Sequence, residues 1–560
     1  MKTKIYSIIT AIAATAALPT TAMAQSLDES VTVEGKYSPE IINADRLPLL
    51  PGLTTLTPPE SRLEYDQKGV NANFSPDALP MASTGWRTTK KYDSSKGYID
   101  LRLGSWLNSS LTAGVAAVDL PNTKLGITLQ HNSTSLWQAW NNEQGMPDAD
   151  KRFRYDERLN AALSHRFGDT GTLQADVQYH LGYFNYYGTT SVKDEQGNIK
   201  APTQTLNDVY AGAVWSGNAT KELTYGLKAN ARHFAYRAFY SPMANHPGTL
   251  EYGKGERETE INAGGMIAYS LNKASGFEAE LLYTGVLNTI ADNVNRLKIT
   301  PAYTLQKKNI SLRIGMELAM VGAEKTRFRI APDVKMTARA GIASITAAIT
   351  GGTSLRTLAW MHNMDYYSNP LAGCTGAAYS PINARVGVQL NPSGKWTFGL
   401  EGSWQTTLDE SLGGLYQAYL NSDTHYNKSV SSRLHGVSVA INAGYDFCKE
   451  FKLHGKASWQ PQHGTTGVLN GFDRPKYTAE ISAESQPIEK LRFELNYHLR
   501  ACRELVKGNI SRLDLTADYQ VSDRISVGVE LNNLFNRHEN ILPGLALEGF
   551  NAAGGVQVVF

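Results

Sequence analysis

The sequence predicts an all-β fold, a transmembrane antiparallel β-barrel of about 22 strands, with an even count from roughly 18 to 22 fitting the pattern. The first observation behind this is strict alternation. Leu491, Phe493, Leu495, Tyr497 and Leu499 alternate with Arg492, Glu494, Asn496, His498 and Arg500. Leu173–His180 and Ile525–Leu531 repeat the pattern. A strand with one apolar and one polar face has this period, because successive side chains point to opposite sides. The second observation is that connections alternate in length. Short ones, such as Gly168–Thr170, Lys307–Asn309, Asn391–Lys395 and Val521–Arg524, alternate with long ones near 133–155, 187–202, 237–255, 357–380 and 408–431. Short turns at one rim and long loops at the other mark an outer-membrane barrel. The third is the combination of 42% hydrophobic residues with a mean hydropathy of −0.32. That is too polar for a helical membrane protein, but it suits a barrel with lipid outside and a wet lumen inside. No recurring sequence of propeller or solenoid period is present.

The segments follow in order. Met1–Ala24 has a basic start (Lys2, Lys4), an apolar stretch from Ile5 and a small-residue end at Ala22-Met23-Ala24. It reads as a secretory signal peptide, too short for a membrane-spanning helix. Gln25–Lys96 contains a strand-like Ser30–Tyr37 and then Pro39, Pro48, Pro51, Pro58, Pro59, Pro76 and Pro80. Proline interrupts helices and cannot pair centrally in a sheet, so an extended segment or a reduced plug is expected here. The barrel is expected over 97–560, with strands starting near 97, 109, 123, 156, 170, 203, 220, 256, 274, 296, 309, 326, 340, 381, 394, 432, 450, 474, 488, 508, 523 and 549. Val556, Val558 and Phe560 alternate with Gly555, Gln557 and Val559, so the chain ends on an aromatic strand residue.

The last 35 or so residues carry a resemblance. Val527–Arg537, containing Asn533-Leu534-Phe535-Asn536-Arg537, then Pro543-Gly544 and Gly549–Phe560, resemble the C-terminal hairpin of TonB-dependent outer-membrane receptors. His538-Glu539-Asn540 stands where that family usually has an aromatic residue. The resemblance implies a 22-strand barrel, assembled by the barrel assembly machinery into the outer membrane of a Gram-negative bacterium. It also implies a plug, for which Gln25–Lys96 is short. Val31-Thr32-Val33 is similar to a TonB box, an extended strand that pairs with the energy-transducing protein through its backbone.

The balance of 54 Lys+Arg against 52 Asp+Glu gives no bulk charge for nucleic acid, so none is expected as a partner. No nucleophile motif surrounds the histidines, and no CxxC, HExxH or acidic calcium loop occurs, so neither an enzyme nor a cofactor is expected. With 3 cysteines there is no disulfide framework, although Cys374 and Cys502 both fall at the outer rim. Aromatic residues in the long outer loops are the ligand or partner candidates: Trp137, Trp140, Tyr366, Tyr367, Tyr416 and Tyr419. Tyr183–Tyr187 continues a strand and is expected to form a girdle at the lipid headgroups. Two functions compete. One is uptake of a nutrient across the outer membrane through TonB. The other is a scaffold barrel holding an outer-membrane or surface lipoprotein partner, a reading favoured by the Pro-rich N-terminal segment.

Overall fold

The computed structural model describes residues 96–560 except 106–107, 138–150, 169, 186–191, 194–198, 201–202, 243–249, 290–291, 324, 365–375, 392–393, 413–429, 465–474, 504–507, 538, 543–544 and 547. Val31–Val33, Trp140, Tyr366, Tyr367, Tyr416, Tyr419 and Cys374 lie outside the described residues. The strands are β1 (Gly97–Gly104), β2 (Ser109–Leu120), β3 (Thr123–Trp137), β4 (Lys151–Arg166), β5 (Thr172–Asn185), β6 (Thr203–Asn218), β7 (Leu223–Tyr236) and β8 (Arg257–Asn272). They continue as β9 (Ser275–Asn288), β10 (Val294–Lys307), β11 (Ile310–Gly322), β12 (Thr326–Ala340), β13 (Ala343–Arg356), β14 (Gly376–Leu390) and β15 (Trp396–Leu412). The last are β16 (Val430–Cys448), β17 (Phe451–Trp459, resumed at Gln462–Gly464), β18 (Pro475–Ile488), β19 (Leu491–Arg503), β20 (Ile510–Gln520), β21 (Ile525–Asn532) and β22 (Asn551–Val559). Each strand pairs antiparallel with the next, and β22 pairs back onto β1 from Tyr98↔Val559 to Gly104↔Ala553. The result is a closed barrel of 22 strands.

Alternation decides which face meets lipid. On β21 the exposed side chains are Ile525, Val527 and Val529, and on β11 they are Ile310, Ile314, Met316, Leu318 and Met320. Their alternate neighbours turn inward, where charges pair off across strands: Lys228 with Glu280, Arg232 with Asp208, Arg313 with Asp333, and Arg385 with Glu401. Glu494, expected as polar lumen lining, meets Arg492 at 3.2 Å. Closure at the seam has its own chemistry. Gly97 and Phe560 exchange backbone hydrogen bonds, each of 2.9 Å. From β1, Arg102 reaches over β22 to Glu530 on β21 (2.6 Å) and Asp518 on β20 (3.6 Å). The strand it crosses is bare of side chains there, since a Cβ on Gly555 would lie 2.5 Å from Arg102 Cγ.

The C-terminal motif forms a tight corner at the outer end of β21. Asn533 and Asn536 have φ of 52° and 49°, a left-handed geometry that asparagine tolerates better than most residues. Asn533 is only 3% exposed. Its Nδ2 donates to the carbonyls of Arg537 (2.8 Å) and Glu548 (2.7 Å), and its backbone N–H donates to Asp514 (2.8 Å). Asn536 Oδ1 accepts from Phe550 N at 2.8 Å, which sets the approach to β22. Leu534 N donates to Leu513 O at 2.8 Å, while Phe535 points outward beneath the Arg537 guanidinium.

Two outcomes follow from these contacts. Gly555→Leu forces a side chain into Arg102 and costs about 1–3 kcal/mol of overpacking. It lowers the temperature at which the barrel loses its folded, heat-modifiable band on a cold gel. Asn533→Ala strands two carbonyls and adds backbone strain, for about 2–4 kcal/mol in the same assay.

Candidate functional site

One strand pair does not close along its full length. β12 pairs with β13 from Ala340↔Ala343 to Asp333↔Thr350 and no further. β12 continues to pair with β11 as far as Gly322↔Thr326, and β13 continues with β14 from Gly352↔Ser380 to Arg356↔Gly376. The outer tops of β13 and β14 therefore leave the wall together. Local sequence explains the break. Pro332 has no N–H to donate to a neighbour, and Gly351-Gly352 follow in β13. Gly352 has φ of 133°, a conformation that side chains resist, and the register slips between Thr350 and Gly352.

The departing hairpin turns into the lumen. A Cβ on Gly351 would lie 2.8 Å from Ala331 Cβ on the inner face of β12. One strand further, Thr353 donates through N (2.7 Å) and Oγ1 (2.9 Å) to Glu317 on β11. Arg296 on β10 donates to the Thr353 carbonyl at 2.7 Å. Leu355 and Ala377 pack on Val286, Val294 and Val321, which project inward from β9, β10 and β11.

The hairpin leads into a short helix, α1 (Leu358–Met364). Thr357 caps it by accepting from Trp360 N at 3.1 Å, and Glu258 on β8 accepts from Leu358 N at 2.9 Å. A carboxylate suits that helix end, where unpaired N–H groups point outward. Leu358 and Ala359 are buried against Leu206, Phe234 and Tyr236, with Trp360 packed alongside under the Arg356 guanidinium, 4.3 Å from the ring centroid. His362 meets the Tyr236 hydroxyl at 3.1 Å and lies 6.2 Å, ring to ring, from His180. His180 in turn contacts Asp156 at 2.8 Å. The β13–α1–β14 connection thus runs across the inside of the outer mouth, from β11 to β5, on a wall otherwise lined with ion pairs.

The expected candidates fare unevenly. Trp137 is the last residue of β3 rather than a loop residue, because Lys151 on β4 still pairs with it. Tyr183 stacks with Tyr155 (6.2 Å) and packs at a tilt against Phe153 (4.9 Å) on the lipid face, as a girdle residue does. Phe184, grouped with it by sequence, faces the other way and is fully buried 6.4 Å from His362. Phe560 closes the seam, and Asn533–Arg537 shape a corner, so the family motif is architectural. Cys448 and Cys502 are exposed thiols. Among the described residues no group of three His, Cys, Asp or Glu is placed to hold a metal. Sequence reading missed α1 entirely. Its signals were Thr357 ahead of Leu358-Ala359-Trp360, the Gly351-Gly352 pair, and Pro332 within an alternating strand.

No family model and no curated protein matches the chain. Solved structures do match. The FrpB iron transporter from Neisseria meningitidis superimposes with a TM-score of 0.62 at 11% identity, over 84% of this chain and 82% of that one. The siderophore receptor PirA from Acinetobacter baumannii gives 0.62 at 12% identity, over 84% and 81%. The ferripyoverdine receptor of the outer membrane of Pseudomonas aeruginosa gives 0.57 at 12%, over 84% and 72%. At such identity the likeness is one of fold: the chain shares its closed 22-strand antiparallel β-barrel with solved outer-membrane receptors.

Burial, and secondarily the neighbouring His180, push the His362 imidazole well below its ordinary 6.5. The docked helix thus binds fewer protons than the released one. Its docking is fully retained above pH 6.5 and weakens as pH falls below that value. A spin label on the exposed Asn363 should gain mobility on acidification, and His362→Gln should flatten that response. Phe234→Ala removes a buried ring and weakens docking by about 3–5 kcal/mol, measured as label mobility at neutral pH.

Proposed function

We propose that the protein takes up a ligand too large for diffusion pores across the outer membrane, using TonB as its energy source. The observation that carries this reading is the inward-folded β13–α1–β14 connection within a 22-strand barrel. A barrel of that size encloses an aqueous lumen wide enough for a large solute. A helix held across its mouth by a capped N-terminus and an apolar cluster restricts passage until a ligand or a force displaces it. Three solved structures of the same fold are described as an iron transporter, a siderophore receptor and a ferripyoverdine receptor, and this supports a receptor role. In this reading Gln25–Lys96 gates the inner end of the lumen, and Val31-Thr32-Val33 pairs with TonB by strand addition. Trp137 at the outer end of β3, together with Trp140, Tyr366, Tyr367, Tyr416 and Tyr419, supplies stacking surfaces at the outer end.

Planar-bilayer recording of the full chain and of a variant lacking Gln25–Lys96 tests the gate. Deletion should convert a closed barrel into a large, steady conductance. Unchanged conductance, together with a protein that purifies in stoichiometric complex, would favour the scaffold reading instead. The energy coupling has its own test. V31P/V33P removes two strand donors and should abolish binding to the purified periplasmic domain of TonB, leaving barrel folding intact.

A further inference from the structure

On the outside of the wall, towards the outer ends of β2, β3 and β4, three polar side chains meet. Ser109 Oγ lies 3.1 Å from His131 Nε2, and His131 Nδ1 contacts the Glu157 carboxylate. An ionised carboxylate can only accept, so Nδ1 carries the proton directed at Glu157. That leaves Nε2 of the neutral ring as the acceptor for the Ser109 hydroxyl. A nucleophile, a base and the carboxylate that orients the base thus stand in sequence, the arrangement that activates serine in hydrolases. The three come from adjacent strands, 22 and 26 positions apart, so no local motif marks them.

Parity places them on the lipid side. His131 follows the exposed Leu129 on β3, Glu157 stands between the exposed Tyr155 and Leu159 on β4, and Ser109 lies opposite the exposed Leu103 on β1. The girdle of Tyr155 and Tyr183 is just above, so the cluster sits at the level where the acyl esters of the outer leaflet begin. Charged side chains on this face destabilise a barrel more the deeper they sit, so Glu157 stands there at a cost. Elsewhere on the outer face the pairing of a histidine with a hydroxyl is simpler. His165 meets Thr123 (2.7 Å), His233 meets Thr259 (2.9 Å) and His435 meets Thr406 (3.0 Å), each through Nδ1. Of these four rings only that of His131 holds a hydroxyl on one nitrogen and a carboxylate on the other.

We propose that Ser109, His131 and Glu157 form an esterase site for the acyl esters of outer-leaflet lipid. Ser109 Oγ attacks the ester carbonyl carbon as its proton passes to His131 Nε2. The carbonyl electron pair moves onto oxygen beside Ser133, whose Oγ lies 2.6 Å from Ser109 Oγ and offers a hydroxyl donor. Collapse breaks the bond to the lipid alcohol, which leaves with the proton held by His131. Water then attacks the acyl carbonyl and gives a proton to His131. The second collapse returns that proton to Ser109 Oγ and releases a fatty acid. Glu157 is a positioning residue: it holds the ring in the required tautomer and stabilises the imidazolium. With a single hydroxyl donor turnover is slow, so trapping the nucleophile is the most sensitive readout. The site lies outside the wall and does not depend on what passes through the lumen.

The test uses full-length protein reconstituted in vesicles of phosphatidylethanolamine and phosphatidylglycerol, the former with one radiolabelled acyl chain. A long-chain alkyl fluorophosphonate, which phosphonylates an activated serine with loss of fluoride, should modify Ser109, located by peptide mass spectrometry, and leave Thr123, Thr259 and Thr406 untouched. H131Q and E157Q should each slow the modification about a hundred-fold or more, with the folded, heat-modifiable band retained. H131Q/E157Q should be no slower than H131Q, because Glu157 acts only through the ring; a merely structural carboxylate would add its own loss. Without inhibitor, wild-type vesicles should release labelled fatty acid and S109A vesicles should not. An unmodified Ser109, modification at the wild-type rate in H131Q, further slowing in the double variant, or equal fatty-acid release from wild type and S109A would each overturn the assignment.

Discussion

A strand in a bilayer has no water to satisfy its N–H and C=O groups, so each must find another strand. Every large feature of this molecule follows from that requirement. It fixes an even number of strands and brings the first and last together. It accounts for the seam, where Gly97 and Phe560 exchange hydrogen bonds and Arg102 ties three strands on the lumen side. It also identifies, among the described residues, a place where the wall departs from the rule: the outer half of the β12–β13 pair.

That departure is organised rather than a defect. At Thr353 the backbone groups that β13 no longer shares with β12 are met elsewhere. Glu317 and Arg296 take up Thr353, and β14 remains paired with β13 as both turn inward. Burial of Leu355, Ala377, Leu358 and Ala359 against inward-facing apolar residues of β6, β7 and β9–β11 offsets the lost wall pairing. The apolar residues Leu206, Phe234, Val286 and Val321, out of place in a wet lumen, are there because this connection covers them. One register break thus produces a restriction inside the mouth and an open edge outside it.

Much of this barrel is legible in the sequence because its signal is short-range. Alternation reports two-faced strands directly, and turn length reports which rim is which. The expected strand starts at 203, 326 and 474 agree with β6, β12 and β18 to within a residue. The candidate site was less legible. Inward folding of a loop depends on contacts between residues a hundred or more positions apart, such as Leu358 with Glu258 and His362 with Tyr236. Phe184 illustrates the limit. Its neighbours made it look like part of a girdle, and only parity along β5 shows that it faces the lumen. Pro332 and Gly351-Gly352 did carry a local signal, since both residue types mark interrupted pairing inside strands.

Disulfide trapping at Leu355 tests the unzipped wall most directly. In a background with Cys374, Cys448 and Cys502 replaced by serine, Leu355→Cys is paired either with Val321→Cys, inside the lumen on β11, or with Phe328→Cys. The latter is the position it would face if the β12–β13 register of Asp333↔Thr350 continued outward. The inturned hairpin predicts rapid oxidation of the 355–321 pair in intact outer membranes and none of the 355–328 pair. Efficient formation of 355–328, with 355–321 remaining reduced, would mean that the wall is zipped to its rim. The restricted mouth would then not exist.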